Sequence, residues 1–241
     1  THLSHEPSAS IHYQQALGYP TTRALAEEIL PFQPDLVITS EYGNPNTLAL
    51  LEKLGLRIEK LAIAENLEGV EANIRKIARL SGHVQRGEAL IADMQQRLQA
   101  LPQTTQKPPL AAVYDPNGYT VGAQSLRGQM IRLAGWRNAG EELGIAGYGE
   151  LSLEAMVQLA PDALIDSPYS HAYSRARALS RHPALVESAL RPHIISLPSA
   201  MTICGGPWTV QGIEQLARER VHLPVRAQTA RDHHALPDGD S

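Results

Sequence analysis

Phenylalanine is nearly missing from this chain: Phe32 stands alone beside eight tyrosines and two tryptophans in 241 residues. Phenylalanine serves cores, whereas tyrosine also carries a hydroxyl to ligand or water. The core must therefore be built from Leu, Ile, Val and Ala, leaving several tyrosines for other work. Cysteine is as scarce. With Cys204 alone, no internal disulfide can form, which is neutral on compartment. No apolar run approaches the roughly 18 residues needed to span a bilayer. No basic run is present either, and a net charge of −4 with a pI near 6.2 argues against nucleic acid as a partner. A charged start followed by an apolar core, the mark of a signal peptide, is also lacking. The chain opens on Thr1 rather than Met, which leaves room for a leader ahead of it. Glycines do not form a phosphate-binding fingerprint, because Gly144, Gly147 and Gly149 follow a helical stretch instead of opening one after a strand.

What is present includes a repetition. AEEILPFQPDLVI (Ala26–Ile38) lies over LEAMVQLAPDALI (Leu153–Ile165) at one fixed offset, with both Pro-Asp pairs in register. A repeated phrase of this length implies a repeated structural unit. Each copy reads as an acidic-start helix, a break at proline and a buried strand. In the first copy the helix covers Thr21–Leu30 with Thr22 as N-cap, and LVITS is the strand. A helix over Asn46–Leu54 and a strand over Arg57–Ile63 follow. Strand–helix–strand is the signature of a parallel sheet, so the fold class is α/β.

Between Asn66 and Leu101 the apolar residues recur at spacings of three and four, which is helical. A continuous helix there would be roughly 50 Å long at 1.5 Å per residue, with Ser81–Gly82 as the place for a kink. Pro102–Pro109 is a polar linker. Strands then read at Leu110–Asp115, Ala163–Asp166 and His193–Pro198, with helices at Ser125–Leu133 and, capped by Ser152, over the second copy of the repeat. Further helical stretches cover Ala176–Leu179, Pro183–Glu187 and Val210–Arg220. The division expected is a first lobe over 1–65, a connecting helix over 66–101, a second lobe over 102–220 and a frayed tail over 221–241.

Ligands of open parallel sheets bind beyond the carboxyl ends of the strands. Those ends are followed here by Glu41, Tyr42 and Asn44; by Tyr114, Asp115, Asn117 and Tyr119; by Tyr169, His171, Tyr173 and Arg175; and by Ser199, Met201 and CGGPW with Trp208. Five of the eight tyrosines sit there, which reads as an aromatic-lined cleft for a bulky ligand. Asp115 and Asp166 are carboxylates at strand ends in separate loops, a poor arrangement for acid–base catalysis. Cys204 lacks a His–Asp pattern that would make it a nucleophile. The histidines at positions 2, 5, 12, 222, 233 and 234 show no ligand-like spacing, and Trp136 reads as locally packed. No intrinsic cofactor, metal site or catalytic residue is expected.

Several phrases together resemble the periplasmic substrate-binding proteins of ABC importers for iron–siderophores and cobalamin. They are AEEILPFQPDLVI, the run Asn73–Gly82, NGYTVGAQSLRGQMIRLAGWRN, GYGELSLEAMVQLAPDALI and CGGPWTVQGIEQLA, in order over Ala24–Ala217. The resemblance implies two small Rossmann-like lobes joined by a long helix, with a metal chelate held between them. It implies delivery to an inner-membrane permease by a monomeric protein, periplasmic or lipid-anchored, that binds without chemistry. Family members begin with a strand and a helix ahead of the region matching Thr1, so the first lobe is expected to be incomplete. Tyr42 would then serve the ligand from the first lobe, and Tyr114, Asn117, Tyr119, Tyr169, His171, Tyr173, Arg175 and Trp208 from the second. Arg175 would pair with an anionic ligand group. Glu41, Glu52 and Glu187 are the nominees for permease docking. The ligand is a ferric siderophore or a cobalamin, with haem as the rival, in which case Tyr169 or His171 would meet the iron. An α/β enzyme using the cleft is a further alternative.

Overall fold

The computed structural model describes residues 2–102, 107–167 and 192–223. The first lobe contains two short helices, α1 (Tyr13–Ala16) and α2 (Ala26–Ile29), then strand β1 (Leu36–Ser40), helix α3 (Pro45–Lys53) and strand β2 (Arg57–Leu61). The two strands pair in parallel from Leu36 against Arg57 to Ser40 against Leu61. Asn44 caps α3, its side-chain oxygen accepting from the amides of Asn46 and Thr47, with Pro45 preset for the first turn.

The helix read over Thr21–Leu30 is shorter than expected. Thr22 does not cap it: its hydroxyl accepts from the amide of Ala24, two residues on, and Ala24 is left-handed at φ 63°. The backbone can turn helical only after that residue.

The connecting span is two helices rather than one continuous rod. α4 (Leu67–Leu80) and α5 (Val84–Gln99) are separated by Gly82 at φ 74°. Ser81 helps stop the first helix by turning its hydroxyl back onto the carbonyl of Ile77. The chain then reverses, so that Arg75 meets Glu88 and Gln95 meets Glu71. Where the helices touch, Gly87 supplies the close approach: a Cβ there would lie 2.5 Å from that of Ala78. The connector is thus a helical hairpin. α5, at about 1.5 Å per residue, is roughly half the length of the rod.

The second lobe is built on a four-stranded parallel sheet in the order β5 (Arg137–Asn138), β3 (Leu110–Val113), β7 (Ala163–Asp166), β8 (His193–Ser196). A two-stranded antiparallel ribbon, β4 (Tyr119–Val121) and β6 (Tyr148–Glu150), stands beside it. Residues alternate across β3. Ala111 and Val113 face one cluster with Met130, Ile131, Ile165 and Leu216, while Leu110, Ala112 and Tyr114 face another with Leu151, Met156 and Leu164. Helices α6 (Leu126–Leu133) and α9 (Thr209–Val221) contribute to the first cluster, and α8 (Leu153–Leu159) to the second. A short helix α7 (Ala139–Glu142) follows β5. Ser125 and Ser152 cap α6 and α8 through the amides of Gly128 and Ala155.

Trp136 is not merely a local contact. It is buried and its indole nitrogen donates to the carbonyl of Leu216, 80 positions on, tying the end of the α6 segment to α9. The closing helix ends at Val221, and the remainder of the expected tail from position 224 lies outside the described residues.

Candidate functional site

A loop that follows the first lobe's sheet meets one that follows the second lobe's, nine residues past the end of β8. Three residues past β2, the Cβ of Ala64 lies 3.1 Å from where a Cβ on Gly205 would stand, and Gly205 follows β8. Val70 of α4 and Leu126 of α6 close the same contact. Just beyond, the amide of Leu67 donates to the side-chain oxygen of Gln129 at 2.6 Å. The N-terminus of α4 is therefore anchored on the second lobe. Farther along, α4 holds the first lobe through Asn73, which donates to the carbonyl of Ala62, and Lys76, which donates to that of Lys60.

Around this meeting point the expected ligand residues take different places. Tyr42 is 76% exposed in the turn after β1. Tyr119 is 51% exposed at the start of β4, and Asn117 is an exposed residue of the preceding turn at φ 64°. Trp208 is half-buried, its indole nitrogen donating to the carbonyl of Cys204 at 2.8 Å. Tyr114 is a correction. It is 3% exposed and belongs to the core behind the sheet, on the face shared by Leu110 and Ala112. Burial first, and the charge of Glu154 second, push its hydroxyl pKa up. Tyr169, His171, Tyr173 and Arg175 lie outside the described residues, as does Glu187.

Of the acidic residues, Glu52 is exposed on α3. Glu41 is engaged within its own lobe: its amide donates to Leu61 and its carboxylate accepts from the amide of Ile63. It clamps the carboxyl ends of β1 and β2 together.

Two site features escape a reading by strand ends alone. The first is Arg127, on the second residue of α6. It reaches across the carboxyl ends of β3 and β7, donating to Asp115 at 2.5 and 3.4 Å and to the hydroxyl of Ser167 at 3.0 Å. The two charged side chains are 13% and 20% exposed. Asp115 is consequently matched by a cation from its own lobe. The second is His12, an exposed residue that stands edge-on to Trp208 with ring centroids 5.6 Å apart. Nearby, Ser199 donates to the carbonyl of Ser8 at 2.5 Å, so the segment ahead of α1 lies along the rim of the second lobe. Cys204 is accessible, but the atoms packed around its sulfur push the thiol pKa up, away from the thiolate a nucleophile needs.

Among the described residues no group of three His, Cys, Asp or Glu side chains is gathered as a metal cage would require, and no helix is long and apolar enough to cross a membrane.

Residues 5–199 match the model of a family described as periplasmic binding protein. The chain belongs to that family. Its two α/β units and helical connector agree with the architecture of family members whose structures are solved. Over 83% of this chain and 80% of the other, it superposes on the periplasmic haem-binding protein RhuT of Roseiflexus sp. RS-1 in its apo form, with a TM-score of 0.71 and 27% identity. A periplasmic haem-binding protein of Pseudomonas aeruginosa gives 0.68 and 28% over 84% of this chain and 76% of that one. By sequence, 164 residues are 27% identical to a cobalamin-binding protein of Halobacterium salinarum strain R1, covering 66% of this chain and 44% of the relative. The chain spans about half the length of the curated relatives it matches. These family members are binding proteins.

Proposed function

We propose that this chain is the substrate-binding component of an ABC importer, capturing a metal chelate between its lobes and handing it to a membrane permease. The observation that carries the reading is the convergence at Ala64 and Gly205. There loops from the carboxyl sides of both sheets touch, and exposed or half-exposed Tyr42, Tyr119 and Trp208 also follow strands on those sides. Rings on two lobes suit a broad, flat ligand, because aromatic side chains give large contact area at little entropic cost. Similarity to a cobalamin binder and to haem binders at 27–28% identity favours a metal tetrapyrrole over a ferric siderophore. Haem and cobalamin are both of that chemistry. The protein acts by binding alone, outside the cytoplasmic membrane, free or lipid-anchored.

The test is a titration of purified protein with haemin, dicyanocobinamide and a ferric siderophore, followed by tyrosine and tryptophan fluorescence. Saturable quenching by a tetrapyrrole, weakened at least about tenfold in Trp208→Ala (about 1.4 kcal/mol), is the expected result. Absence of quenching by all three compounds would remove the reading.

A further inference from the structure

The far end of the helical hairpin, from Arg79 to Gly87, lies past the hydrogen bonds that hold the connector to the lobes. α4 grips the first lobe through Asn73 and Lys76 and the second through Leu67, and α5 reaches the second through Arg97. Beyond Lys76, the amides of Ser81, Gly82 and His83 donate within the hairpin, to Ile77, Arg79 and Ala78. Charge there has one sign. Between Glu71 and Glu88 no acidic residue occurs, while Arg75, Lys76, Arg79 and Arg86 do, in a chain with a net charge of −4. Arg75 and Lys76 are matched by Glu71, Glu88 and Glu59. Arg79, His83 and Arg86 are exposed, and among the described residues none of them has a carboxylate partner. Val84 beside them is 49% exposed and Ile77 42%. Arg79 suits the negative end of α4, but Arg86 stands in the first turn of α5, where the helix dipole disfavours a cation. Helix stability does not explain it.

We infer that this tip is a docking surface for an anionic phospholipid bilayer. The end of a hairpin offers no groove to enclose a small molecule. It is also too small for a stable protein partner, which takes about 20–30 residues a side, whereas the tip has nine. A fluid headgroup layer asks for no matched shape. The two unpaired guanidiniums meet its phosphates, each strengthening the attachment about fivefold. Val84 and Ile77 enter the boundary between headgroups and acyl chains. Attraction of this kind is weak and screened by salt, so it keeps the protein at the surface without fixing it there. Nothing in it depends on what the cleft binds.

Co-sedimentation of the purified protein with vesicles tests it, comparing phosphatidylglycerol–phosphatidylcholine mixtures with phosphatidylcholine alone, without any chelate. Partition onto the anionic vesicles is expected to be at least about tenfold stronger at low salt, and to be largely lost at roughly 1 M salt. Arg79→Gln/Arg86→Gln should abolish that preference while leaving the melting temperature and the haemin and dicyanocobinamide titrations unchanged. Arg23→Gln/Lys107→Gln removes the same charge from exposed positions elsewhere and should keep it. Equal partition onto the two kinds of vesicle, or onto neither, overturns the inference. So does a preference that survives in the folded tip variant, or one that both double variants lose alike, since the net charge of the whole molecule would then account for it.

Discussion

Gln33 and Ala160 stand 127 positions apart and adopt the same backbone state, left-handed at φ 46° in both. Each terminates a helical turn, one over Leu30–Phe32 and the other at the end of α8, and each immediately precedes a Pro-Asp pair. The strands then begin at Leu36 and Ala163, at the same offset. The repeated phrase is therefore one supersecondary unit used twice, down to its reversal of chain direction. Neither residue is glycine, and left-handed backbone costs an L-residue roughly 1–2 kcal/mol.

Replacing either residue by glycine should consequently stabilise the protein. Glycine removes the steric cost, while its greater freedom in the unfolded chain returns about 0.5–1 kcal/mol. A gain of about 0.5–1 kcal/mol is expected for Ala160→Gly and for Gln33→Gly, read as a higher denaturant midpoint. Ala160→Val should move it the other way, since a β-branched side chain is an outlier in this region. A glycine variant no more stable than the parent would show that the turn is not strained.

Much of this architecture is legible in the residues because proline, glycine and capping side chains act locally. Pro34 and Pro161 mark the strand starts, and Ser125 and Ser152 mark helix starts through hydrogen bonds no more than three residues long. What escapes depends on distant partners. Periodicity over 66–101 is satisfied by a straight helix or by a hairpin, since the apolar stripes of α4 and α5 can face each other as well as a lobe. Tyr114 and Tyr119 both follow β3, but one continues the alternation into the core and the other emerges after the turn at Pro116–Gly118. Alternation from Leu110 was the available signal for Tyr114. No local signal gives Arg127 its partners, which lie 12 and 40 positions away.

Acid should loosen the attachment of the connector to the second lobe. Arg97 on α5 donates to both carboxylate oxygens of Glu214 on α9, at 2.8 and 2.7 Å. That hydrogen bonding, opposed by burial and helped by the charges of Arg97 and Arg218, holds the Glu214 pKa below its ordinary value of 4.5. A carboxylate with a depressed folded-state pKa stabilises the fold fully above the unfolded value and loses that contribution as pH falls through the folded value. The contribution is on the order of 1 kcal/mol for a paired, partly exposed bridge. Glu214→Gln should be less stable than wild type by about that amount at pH 7, and the gap should close below about pH 4.5. Parallel stability curves from pH 7 to pH 3 would contradict this role.

Gly205 and Val70 bear on whether the lobes move. A Cβ on Gly205 would stand 2.5 Å from Cγ2 of Val70, which is fully buried, and 3.1 Å from Ala64. The first lobe, the connector and the second lobe meet there with no slack. Together with the Leu67–Gln129 hydrogen bond and the grip of Asn73 and Lys76 on the first lobe, this contact makes α4 a bolt through both lobes. Opening the lobes by a wide hinge would break either the grip of α4 on the first lobe or its Leu67–Gln129 bond and Gly205 contact with the second, whereas loop adjustments around the cleft would break none. Small-angle scattering should give the same radius of gyration for free and ligand-saturated protein. Gly205→Ala should cost about 1–3 kcal/mol through overpacking, seen as a lower melting temperature. If the alanine instead wedges the lobes apart, the radius of gyration of the free protein will rise and saturating ligand will reduce it again. A large change in that radius when wild-type protein binds ligand would refute the bolt.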